Sequence, residues 1–165
     1  MQQVFQSWLI RDWQPPDRQA AATVIQTVLA EYGLEWEPTG ADRDVLTVEV
    51  AYQATGGEFW VVEAQGTLVG TAAYYPISRS PNAVEIRKMY LLPRVRGQGL
   101  GTFLLHQLEQ AIAAKGHHTI WIETATILQA AVQLYERRGY RPMTGVETQR
   151  CDRVYCKVLR DHQGA

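Results

Sequence analysis

The sequence predicts a single-domain α/β fold: one mixed β-sheet, antiparallel in its first half and locally parallel around a long helix, with helices flanking it. Three observations predict this. The chain has 165 residues, 46% hydrophobic and 20% charged, which suits one soluble domain (residues 1–165) with a single sizeable core. Candidate strands run consecutively in the first half and alternate with helices in the second. The punctuation falls between short elements, with no internal repeat and no low-complexity linker.

Residues 4–13 alternate in polarity from Phe5 through Leu9 and read as a first strand. Pro15-Pro16-Asp17 breaks it and opens a helix with Val24, Val28 and Leu29 on its apolar face, stopped at Gly33. Residues 42–54 balance a capping Asp42 against the β-branched run at Val45 to Val48; the reading leans to helix. Residues 59–63 and 68–75 form an antiparallel hairpin bent at Gly66, and residues 83–92 a strand ended by Pro93. Residues 99–115 give the strongest helix, with Leu100, Phe103, Leu104, Leu108, Ala111 and Ile112 on one face and Gly116 as its stop. A strand at 119–123, a helix at 127–138 ended by Gly139, and strand from Tyr140 onward, with 153–159 last, complete the order.

The formal net charge of -1 gives no pull toward nucleic acid or an anionic membrane. No apolar run is long enough to span a bilayer, and residues 1–11 lack the basic patch and apolar stretch of a signal peptide. Cys151 and Cys156 fall in one apparent strand at an odd separation, so no disulfide is expected, and two half-buried thiols fit a reduced cytoplasm. No Cys-x-x-Cys or His-x-x-x-His spacing offers a metal site. His106, His117, His118 and His162 read as solvated or packing residues.

The most informative segment is Arg96-Gly97-Gln98-Gly99-Leu100-Gly101-Thr102, which follows a strand and opens the strongest helix. A helix N-terminus carries unpaired N–H groups and partial positive charge, and glycines let a phosphate approach the backbone. Arg94 and Arg96 add positive charge, so the loop reads as an anion site suited to a pyrophosphate. The phosphate loop of nucleotide hydrolases would need a lysine that is absent here. The dinucleotide fingerprint would need a small residue where Thr102 stands, and an earlier place in the chain.

At these residues the sequence resembles the GCN5-related N-acetyltransferase (GNAT) superfamily. Arg96, Gly99 and Gly101 match its pyrophosphate loop, and the strand through Met89-Tyr90-Leu91-Leu92-Pro93 its central strand. Trp121-Ile122-Glu123-Thr124 and the run from Leu134 to Tyr140 match the strand and helix that follow. The detailed match covers roughly residues 83 to 142. The resemblance implies acetyl-CoA as co-substrate and direct transfer to a primary amine of a small molecule or peptide. It implies that backbone groups of Met89, Tyr90 and Leu91 hold the pantetheine arm, and those from Gly97 through Gln98, Gly99, Leu100 and Gly101 to Thr102 the pyrophosphate. Tyr135 matches the tyrosine that protonates the leaving sulfur. Glu85 and Glu123 match the catalytic bases of two branches of the superfamily, the alternative for either being a solvated carboxylate or a partner of Arg87 or Lys88. Many members carry Asn where this chain has Leu128, which leaves apolar packing against the CoA arm.

A non-catalytic acyl-CoA sensor is the competing reading; it has no need of Glu85, Glu123 and Tyr135, all of which are present. A nucleotide-binding oxidoreductase is disfavoured by Thr102 and by strand order. Trp36, Trp60, Tyr74 and Tyr75 are candidates for acceptor walls or for core. Glu31, Glu35, Glu37 and Asp42 are candidates for an acidic patch or a solvated face. The acceptor stays open, as does a homodimer through the C-terminal strands.

Overall fold

The computed structural model describes residues 1–160, so His162 lies outside the described residues. Among the described residues eight strands form one sheet: β1 (Gln2–Phe5), β2 (Trp8–Asp12), β3 (Glu58–Ala64), β4 (Thr67–Ile77), β5 (Ala83–Leu91), β6 (Thr119–Thr124), β7 (Arg141–Met143) and β8 (Arg153–Val158). Their order is β1-β2-β3-β4-β5-β6-β8-β7, and only β5 and β6 run parallel. That is the mixed sheet expected. The helices are α1 (Arg18–Glu31), α2 (Arg43–Leu46), α3 (Val48–Ala51), α4 (Leu100–Ala114) and α5 (Gln129–Arg137). Among the described residues no helix is long and apolar enough to cross a membrane.

Three expectations need correction. The first strand is a hairpin, because Gln6 adopts the left-handed conformation (φ +54°) and reverses the chain without the usual glycine. Residues 42–54 are helical but broken: Thr47, at φ -133° and ψ 43°, separates α2 from α3. Cys151 precedes β8 rather than lying in it; both thiols are free.

Alternation along the strands sorts side chains onto two faces. Trp60, Val62, Tyr74, Val84 and Ile86 pack with Leu104, Leu108 and Ile112 of α4 and Tyr135 of α5. Phe59, Val61 and Ala73 pack on the other face with Ile25 and Leu29 of α1, Val45 and Tyr52. Trp60 and Tyr74 are therefore core, with the Tyr74 hydroxyl donating to Glu58, and neither forms an acceptor wall.

Two irregularities in β5 open the sheet. Its pairing with β6 is confined to Ala83–Thr119, Val84–Ile120 and Glu85–Trp121. Beyond these pairs the strands part, leaving the β6-facing edge of β5 free from Ile86 to Leu91. On the β4 side a bulge sets Lys88 and Met89 opposite the single residue Ala72. Lys88 takes the left-handed conformation there (φ +52°), at a cost of about 1–2 kcal/mol for a side chain with a Cβ. Regular alternation would have sent Lys88 into the core beside Ile86. The bulge turns it to the other face, where its ammonium meets Asp42 at 2.7 Å.

Candidate functional site

The slot between β5 and β6 is a cavity of about 300 Å³ that reaches both faces of the sheet. Glu85, Glu123, Tyr135, Met89, Tyr90, Leu91, Arg96, Gly97, Gly99, Gly101, Thr102 and Leu128 all line it. Gln98 is exposed in the loop at its end, and Leu100 is buried in the core, anchoring the start of α4.

The loop takes its shape from two glycines in the left-handed region, Gly97 (φ +73°) and Gly99 (φ +85°), the latter capping α4. The first helical bond runs from the Phe103 N–H to the Gly99 carbonyl at 3.0 Å. The N–H groups of Leu100, Gly101 and Thr102 thus have no partner within the helix, the feature on which the expected anion site rests. The N-terminal hairpin supports this loop: Phe5 stacks on Phe103 with centroids 4.4 Å apart, and the Gln6 side chain donates to the Gln98 carbonyl at 3.1 Å. Arg96 is not a free cation. Its guanidinium forks onto Glu31 at 2.7 and 2.8 Å and also donates to the Leu91 carbonyl at 2.8 Å. Leu128 occupies the N-cap of α5 without a side-chain hydrogen bond, as an apolar residue must.

The two glutamates differ. Glu85 is half-buried, its side chain 15% exposed, with Arg87 3.7 Å away. Burial pushes its pKa up; Arg87 opposes this, and the charges of Glu123 and Glu147 add to it. The Glu123 side chain is only 4% exposed, and burial alone would raise its pKa as well. The Glu147 N–H at 3.0 Å, the Thr148 N–H at 2.7 Å and Arg79 at 3.4 Å outweigh burial and hold it below the ordinary value. Arg79 also donates to the carbonyls of Thr144 and Gly145, so Glu123 and Arg79 together pin the loop between β7 and β8.

On the opposite face, Tyr135 is 4% exposed, and among the described residues nothing hydrogen-bonds its hydroxyl. Burial raises its pKa, with Tyr90 and Cys151 adding to the shift, so the phenol keeps its proton at neutral pH. Burial likewise pushes the Cys151 thiol up to about 11, which keeps it from acting as a thiolate.

The sequence reading missed the ionic group beneath the slot. Asp42, fully buried, accepts from Lys88 at 2.7 Å and from Arg150 at 2.6 and 2.7 Å, so it belongs to neither an acidic patch nor a solvated face. Asp44 accepts from the Tyr52 hydroxyl and lies 3.3 Å from Lys88 and 3.6 Å from Arg87. The available signal was the Arg87-Lys88 pair interrupting an apolar strand.

Comparison with known proteins bears on the family and the fold. The Acetyltransferase (GNAT) family pattern matches residues 22–140. The chain is 37% identical over 139 residues to the uncharacterized N-acetyltransferase YjgM of Escherichia coli (strain K12), covering 82% of this chain and 83% of that protein. Its fold is that of a GNAT-family acetyltransferase from Staphylococcus aureus Mu50, with a TM-score of 0.85 at 18% identity over 93% of this chain and 99% of that one. The PaiA N-acetyltransferase of Thermoplasma acidophilum, solved in complex with coenzyme A, shares the fold with a TM-score of 0.74 at 19% identity, over 93% and 100% of the two chains.

Proposed function

Because the chain belongs to the acetyltransferase (GNAT) family and is an acetyl-CoA-dependent N-acetyltransferase, we propose that it acetylates a primary amine of a small molecule or peptide. In this reading all of residues 1–165 serve one catalytic domain, with Glu85 as base and Tyr135 as acid. The observation that carries it is the slot itself, with a glycine-loop anion site at its end, Glu85 on one face and Tyr135 on the other.

The pantetheine arm of acetyl-CoA lies along the free edge of β5 and pairs with backbone groups of Met89, Tyr90 and Leu91 as an added strand would. Leu91 contributes mainly through its N–H, since its carbonyl already accepts from Arg96. The pyrophosphate takes the N–H groups from Gly97 to Thr102. Leu128 packs against the arm. The thioester then sits in the slot with the acceptor on the Glu85 face.

The acceptor ammonium gives one proton to Glu85. The free amine attacks the thioester carbonyl, a C–N bond forms and the C–S bond breaks. The departing thiolate takes the Tyr135 proton, and Tyr135 regains one from the acylated nitrogen. Glu85 releases its proton to solvent, so each turnover yields amide, CoA and one proton. Glu85 suits this role because burial makes it a stronger base than an exposed carboxylate. Glu123, held ionised by backbone donors, is instead a positioning residue for the loop after β7.

Rates of CoA release against pH test the assignment. Glu85→Gln is expected to lose about 10²–10⁴-fold in kcat and the acidic limb of the profile, with acetyl-CoA affinity intact. Glu123→Gln is expected to keep that limb and move it to lower pH, because the Glu123 charge is one of the causes raising Glu85. Loss of the limb in Glu123→Gln with its retention in Glu85→Gln would reverse the two roles.

A further inference from the structure

We propose that the acceptor is a free α-amino acid, its amine meeting Glu85 and its carboxylate meeting Arg87. This inference rests on the reading of Glu85 as the base, and it adds the chemistry of the substrate. Glu85 and Arg87 are two residues apart on β5, share one face, and both line the slot. Their charged groups stand 3.7 Å apart, beyond hydrogen-bond range. An α-amino acid carries its ammonium and carboxylate on one carbon, so its two charges fit side by side on this pair with the signs reversed.

Arg87 has the capacity to bind. Its guanidinium has five N–H donors. One goes to the Tyr75 hydroxyl at 3.0 Å and one to the Ala41 carbonyl at 3.2 Å. The carboxylates of Asp44 and Glu85 come no nearer than 3.6 and 3.7 Å. The other half-buried or buried cations of the slot are engaged: Lys88 on Asp42 at 2.7 Å, Arg150 forked on Asp42, and Arg96 forked on Glu31. Arg87 alone of these four lacks a carboxylate within hydrogen-bond distance, and a planar guanidinium takes a carboxylate through two parallel bonds.

The same pairings argue against a polycation. Glu31 and Asp42, which further ammonium groups of a polyamine or aminoglycoside would need, already serve Arg96, Lys88 and Arg150.

The test compares kcat/KM at saturating acetyl-CoA for the common L-amino acids, each beside its α-carboxamide and its decarboxylated amine, with spermidine and an aminoglycoside included. CoA release is the signal, and acetyl-CoA binding is measured in parallel by calorimetry. The preferred amino acid is expected to exceed its carboxamide by about 100-fold or more, the scale set by an unpaired buried charge. Arg87→Gln is expected to bring that ratio toward unity, and Arg87→Lys to restore part of it. A carboxamide, decarboxylated amine or polycation that matches the amino acid overturns the proposal, as does a ratio that survives in Arg87→Gln. The wild-type ratio decides the matter even if the variants fold poorly. A silent amino-acid panel with acetyl-CoA bound overturns the acceptor class and leaves the family activity standing; no binding of acetyl-CoA removes the slot reading beneath it.

Discussion

Two carboxylates in this protein, the half-buried Glu85 and the buried Asp42, respond to pH in opposite senses. The Glu85 pKa lies above its ordinary 4.5, chiefly through burial. A raised carboxyl contributes stability while protonated and loses it as pH climbs through the folded-state value. Urea unfolding at pH 7 should therefore find Glu85→Gln more stable than the wild type, with the difference vanishing below pH 4.5. Burial also pushes Asp42 upward, but hydrogen bonds from Arg150 and Lys88 with the Lys88 charge overcome it, leaving a value of about 2. Its contribution is present above 3.8 and is lost as pH falls toward 2. Asp42→Asn breaks a buried ionic group and should cost about 3–5 kcal/mol at neutral pH, read from the same unfolding curves. The sequence leaves Asp42 open between a helix cap, an acidic patch and a solvated face, because its partners, Lys88 and Arg150, are 46 and 108 residues away. No local pattern encodes pairings at that range, whereas Tyr135 and Glu85 came into view only through the family resemblance, which supplies the offsets from the glycine loop at which to look.

At the level of elements, the glycine loop and α4 could be read from the chain because their causes are local: glycine freedom, an uncapped helix start and a stripe of apolar residues. The bulge in β5 and the reversal at Gln6 could not. Both depend on what neighbouring strands do, and neither Lys88 nor Gln6 is a residue that favours the left-handed conformation. The reversal has a use, since the hairpin tip presses Phe5 onto Phe103 beside the loop. Phe5→Ala should raise the KM for acetyl-CoA several-fold while kcat stays close to wild type, measured under saturating acceptor. Gly99→Ala should act more severely, because its φ of +85° is strained for any residue with a Cβ. Calorimetry should show weakened acetyl-CoA binding even where that Cβ meets only Phe5, at 3.6 Å.

Over the whole molecule, three residue pairs join the five strands from β1 to β5 with the three beyond them. A ligand that lies along the parted edge bridges both halves, so acetyl-CoA should stabilise the fold as a unit. At one hundred times its dissociation constant the gain is about 2.7 kcal/mol, readable as a rise in Tm, with slowed amide exchange from Ile86 to Leu91. The parted edge has another consequence. An unpaired strand edge is a template on which foreign chains assemble, and proteins commonly blunt such edges with charge or proline. Here the vulnerable edge of β5 is recessed in a notch between α5, the loop after β7 and the end of α1. A flat sheet from another molecule cannot enter it, whereas a thin, flexible chain can. On the proposed reading, the shape that admits the co-substrate should also guard the protein against aggregation through its own middle.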